Sequence, residues 1–127
     1  MSVPPSPEWA ASRFDEYAGL VRAAHDRCIA VWRLVEASGR QLSDFPVLSN
    51  RLGELAATES DLGREASFER RFDPESVEDI SRHARNLEVL EKIDSWWCKF
   101  EADLEAEITS IAHQLSESGT LPKERTR

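Results

Sequence analysis

A chain of 127 residues, 40% hydrophobic and 31% charged, is long enough for one domain with its own core and needs neither disulfides nor metal to hold it. Its 24 acidic and 16 basic residues give a formal charge of −8, and Lys and Arg are interleaved with acids, which argues against a nucleic-acid partner. No apolar run approaches the ~18–20 residues that cross a bilayer, and Met1 to Pro7 has neither a basic nor a hydrophobic leader, so a cytoplasmic protein without a membrane partner is expected.

Residues 1–6 read as a disordered arm, because Val3-Pro4-Pro5 cannot enter a helix. Ser6-Pro7-Glu8 then starts one: Ser6 caps, Pro7 gives up no needed N–H at the first helical position, and Glu8 faces the positive end of the helix dipole. Phe14, Tyr17, Val21, Ala24, Cys28, Val31 and Val35 follow at alternating steps of three and four, the seam of a left-handed bundle. This helix is predicted to run to about Ser38, where Gly39 supplies the left-handed residue that closes it. The short link Gln41 to Asp44 requires the next helix to fold back antiparallel.

Ser43 or Asp44 is expected to cap the second helix, with Pro46 in its first turn and Phe45, Leu48, Leu52, Leu55 and Leu62 on one stripe. Gly53 and Gly63 weaken it by about 1 kcal/mol each against Ala, yet Phe68 and Phe72 lie one turn apart on a common face, and the helix is predicted to continue to about Arg71. Asp73-Pro74-Glu75 repeats the start logic of the first helix. From Pro74 to Glu117 no further Pro and no Gly intervenes, while Val77, Ile80, Ala84, Leu87, Leu90, Ile93, Trp97, Phe100, Leu104, Ile108, Ile111 and Leu115 recur at helical spacing. Gly119 is the expected stop, and residues 119–127 read as a disordered basic tail.

The expected fold is therefore all-α: one domain over residues 7–118, an antiparallel three-helix bundle with a long third helix. The alternative is a four-helix up-and-down bundle, if the third helix breaks near Asp94-Ser95. At about 1.5 Å per residue, a first helix of about 32 residues and a third of about 44 do not match in height. A straight third helix leaves an unmatched flank, which makes a homodimer attractive.

Chemistry is sparse. Cys28 and Cys98, the two cysteines, are too few for a disulfide scaffold and read as reduced, buried thiols. His25 and Cys28 share a helix face but lack further metal ligands, no Glu stands three residues before any His as a di-iron bundle requires, and Asp79 and His83, one turn apart, read as a surface pair. Without a glycine-rich phosphate loop or converging carboxylates, neither an enzyme nor a cofactor is expected.

What remains is interaction chemistry. Trp96 and Trp97 leave the helix about 100° apart, so one of them faces away from the seam. Ile29 and Trp32 on the first helix, with Val89, Ile93, Trp96 and Phe100 on the third, form the candidate partner-binding set. The leading expectation is a helical module that self-associates or docks a helical partner. Its charge by segment is zero over residues 1–40, −3 over 41–73, −7 over 74–118 and +2 over 119–127, so the long helix carries most of the acidity. That gives one alternative, a small acidic neutralising protein such as an immunity protein or anti-factor on a basic surface. A bundle holding a small apolar ligand among Trp32, Trp97 and Phe100 is the other.

Overall fold

The computed structural model describes residues 5–117, which form three α-helices and a single 3₁₀ turn with no strand: α1 (Pro7–Ala37), the turn Leu42–Asp44, α2 (Pro46–Arg70) and α3 (Val77–Glu117). The fold is a helical bundle, as the periodicity requires. The predicted arm, apart from Pro5 and Ser6, and the predicted tail lie outside the described residues. No helix among the described residues is long and apolar enough to cross a membrane.

Helix α1 begins and ends as its sequence dictates. The Ser6 hydroxyl accepts from Trp9 N at 3.1 Å, with Pro7 at the first helical position. At the other end Gly39 has φ +82°, Arg40 N donates to Val35 O and Gly39 N to Glu36 O, the paired bonds that close a helix through a left-handed glycine. The start of α2 departs from expectation. Ser43 and Asp44 belong to the 3₁₀ turn, where the Asp44 carboxylate accepts from Gln41 N at 3.1 Å, and Phe45 occupies the cap position without a side-chain bond.

The start of α3 also shifts, from Pro74 to Val77. Asp73 spends its carboxylate on Glu75 N at 2.9 Å inside a tight turn, and Ser76, whose hydroxyl accepts from Asp79 N at 3.2 Å, takes over as cap. From there α3 runs unbroken through Asp94 and Ser95 for 41 residues, roughly 62 Å, beside roughly 46 Å for α1. Three helices with one overlong member, rather than four, is the arrangement seen.

Antiparallel α1 and α2 approach each other most closely, and α3 stands farther from both. Side-chain size explains the difference. Ala18, Ala24 and Ala66 are buried where α1 meets α2, whereas α3 contributes Leu90, Ile93, Trp97, Leu104, Ile111 and Leu115 to the core. Ion pairs fix the register: Arg22–Glu59 at 2.7 Å and Asp15–Arg70 join α1 to α2, Arg27–Glu105 joins α1 to α3, and Arg51 grips Glu107 with two bonds of 2.8 Å from α2 to α3.

That register leaves the first two turns of α3 beyond the start of α1. Val77 (80% exposed), Ile80 (49%) and Ala84, predicted as seam residues, are therefore uncovered. Inward positions at this end belong to His83 and Asn86 instead, beside Leu87, which holds its predicted place. The cysteines separate too. Cys28 is fully buried, and that burial raises its thiol pKa, while Cys98, also expected to be buried, is exposed; both are free.

Candidate functional site

Two adjoining features occupy the line between α2 and α3, one polar and one apolar. The polar feature was not expected from the sequence. Glu69, 1% exposed, receives His83 Nδ1 at 2.6 Å and Asn86 Nδ2 at 2.8 Å. One turn earlier, Glu65 accepts two bonds from Arg82, at 2.9 and 2.8 Å, and a third from Asn86 at 3.1 Å. The Arg82 guanidinium lies 4.2 Å over the Phe68 ring, and the Phe72 ring sits 5.2 Å from the His83 ring.

Arg82's hydrogen bonds hold the Glu65 pKa below its ordinary value, against the opposing pull of desolvation. No buried side-chain nitrogen or oxygen among the described residues lacks a partner. A buried network of this kind positions helices. His83 therefore does not pair with Asp79 as predicted. Asp79 accepts from Asp73 N at 3.0 Å instead and fastens the turn before α3.

The apolar feature begins where the network stops. Thr58 and Leu62 of α2 and Val89, Lys92, Ile93 and Trp96 of α3 line a groove of about 340 Å³ whose walls are almost wholly hydrophobic. Leu62 and Ile93 form its floor, buried, while Val89 and Trp96 stand 49% and 40% exposed at its edge. Seven residues apart, these two share one flank of α3. Trp96 contacts Trp97 at 5.9 Å and Phe100 at 5.4 Å between ring centroids, and Arg51 lies 4.7 Å over Phe100, so the edge tryptophan rests on rings held from beneath. Trp97 itself is buried, so the adjacent tryptophans divide between core and surface as their 100° separation requires.

Of the six predicted partner-binding residues, the structure brings Val89, Ile93, Trp96 and Phe100 together. Ile29 and Trp32 lie elsewhere. Both are half-buried on α1, Trp32 packs against the core, and the Arg27–Glu105 pair sets Ile29 about 16 Å and Trp32 about 21 Å along the bundle from Trp96. Trp97 and Phe100 stack on each other at 5.9 Å, and neither the α2–α3 groove nor the one at Val77–Arg85 is lined by Trp32, Trp97 and Phe100. No cluster of three or more His, Cys, Asp or Glu able to hold a metal occurs among the described residues, and His25 with Cys28 gains no further ligand there.

Comparison with protein-family models, with curated proteins and with solved structures finds no match to this chain.

Proposed function

We propose that this protein is a non-enzymatic interaction module that docks a helical protein surface in the groove between α2 and α3. One observation carries the reading: Trp96 stands half-exposed over a dry floor of Leu62 and Ile93, with Val89 beside it. Exposing a tryptophan on a contiguous apolar strip is costly in water unless another surface covers it, and tryptophans so placed anchor interfaces. An amphipathic helix fits such a channel by placing apolar residues at successive turns along it. The reading extends to a cytoplasmic setting, where Cys28 and Cys98 stay reduced.

Lysine-directed cross-linking in extract of the source cell tests it, because the only lysines of residues 5–117, Lys92 and Lys99, flank this groove. Wild-type chain should yield cross-links from these two lysines to a helical segment, and Trp96→Ala, with its helical content intact, should lose them. Identical cross-links in both proteins would refute docking at the groove.

A second reading rests on the other side of α3, where Glu91, Asp94 and Glu101 are exposed and form no ion pair among the described residues. These acids support the neutralising alternative, a basic partner held by charge. Affinity for such a partner falls steeply between low and high salt, whereas the apolar share of groove docking, carried by Trp96 over Leu62 and Ile93, persists.

A further inference from the structure

We infer that the occupant of the α2–α3 groove is a second copy of this chain, related by a two-fold axis running along the groove; this rests on the docking reading above. The argument comes from charge at matched heights. Lys92 and Lys99, seven residues apart, flank the groove on the α3 side, each lining it or its continuation past Trp96. Glu54 and Asp61, also seven apart, lie on the outward flank of α2, where Glu54 bonds the same Arg51 that reaches across to Glu107 of α3. Over these heights the α3 edge carries two lysines, with Asp103 one turn beyond and paired to Lys99, and the α2 edge carries two acids.

Register makes the pattern self-complementary. With Arg51 opposite Glu107, Asn86 bridging Glu65 and Glu69, and Thr58 and Leu62 opposite Val89 to Trp96, antiparallel α2 and α3 put Lys92 level with Asp61 and Lys99 level with Glu54. A two-fold axis parallel to the groove exchanges left for right and leaves height unchanged. Lys92 of each copy then meets Asp61 of the other, and Lys99 meets Glu54. The same operation sets α3 of one copy antiparallel to α2 of its mate, so that α2 and α3 of both chains form a four-helix core with every neighbouring pair antiparallel, closed over Val89 and Trp96.

Within one chain these charges are lightly committed. Glu54 pairs with Arg51, Asp61 with Arg64 and Lys99 with Asp103, all one turn apart, and Lys92 forms no ion pair among the described residues. Exposed pairs of that kind exchange partners at little cost. A twofold axis across the groove instead would stack α3 on α3 and oppose lysine to lysine, which disfavours that geometry.

Sedimentation equilibrium of the full chain with Lys92→Glu, Asp61→Lys and the double variant tests the assignment. Wild type should approach twice the 14.4 kDa chain mass at high concentration. Each single reversal should weaken association by about tenfold, because symmetry counts every contact twice, and the double reversal should restore it to within about threefold. Both substituted sites are exposed, so circular dichroism should be unchanged throughout. A mass fixed at 14.4 kDa at all concentrations would overturn the second copy as occupant and leave the docking reading to its own cross-linking test. A dimer indifferent to the single reversals, or a double variant worse than either, would overturn this face and this axis.

Discussion

Helices α1 and α2 meet through alanines, and α3 meets that hairpin through large side chains and a buried polar cluster. These are two solutions to the same packing problem. Ala18 lies opposite Ala66 in the register set by Asp15–Arg70 and Arg22–Glu59, which lets the two backbones close together and leaves little between them to mispack. Helix α3 is held at a greater distance by Trp97, Leu104 and Ile111, and that wider spacing leaves the valley in which Trp96 stands. The lesson is that the gripping surface follows from how α3 is held.

The largest way to break this contrast is to remove a side chain by which α3 holds the hairpin. Leu104 is 1% exposed, and Leu104→Ala should cost about 2–5 kcal/mol in urea unfolding. Gentle native-state hydrogen exchange should show α3 amides opening before those of α1 and α2. Next is the polar cluster. Asn86→Leu withdraws donors from both Glu65 and the buried Glu69 carboxylate, and should cost about 2–3 kcal/mol by the same measurement.

Acid should act on the same line of contact. Because the folded-state pKa of Glu65 is depressed, its share of stability is present above the ordinary glutamate value and is lost as pH falls through the lowered one. Unfolding midpoints should therefore decline on acidification below the usual carboxylate range, and Glu65→Gln should flatten that decline. The smallest effect sharpens the other half of the comparison. A methyl group at Gly53, inside α2, meets no atom within 4 Å, so Gly53→Ala should stabilise by about 0.5–1 kcal/mol, read as a raised urea midpoint.

Local signals in the sequence were sufficient for most of the fold. Ser6-Pro7 and Gly39 mark the ends of α1 because caps and left-handed glycines act within a few residues. Competition between two adjacent start signals blurred α3: Asp73-Pro74 and Ser76 both suit a cap, and the turn resolves in favour of Ser76. Val77 and Ile80 extend the apolar spacing faithfully, but whether they are covered depends on where α1 begins, which no local pattern records.

The polar cluster has a trace in the sequence. Leu48, Leu55 and Leu62 recur every seven residues on α2, and Glu69 is the next member of that series, an acid standing in a core position. Its donors, His83 and Asn86, come from a different helix, so only the antiparallel register brings them to it. Four of the six candidate contact residues follow from α3 alone and come together. Ile29 and Trp32 were joined to them by analogy of pattern, and the height of α1 relative to α3 separates them.

Sedimentation equilibrium on the wild-type chain and on Trp96→Ala, compared over a wide concentration range at equal helical content, bears most directly on the groove as the seat of a second copy of this chain. The wild type should pass from 14.4 kDa toward twice that mass while Trp96→Ala remains near the single-chain value. A wild-type chain that stays at 14.4 kDa, or a Trp96→Ala chain that associates equally well, would contradict it.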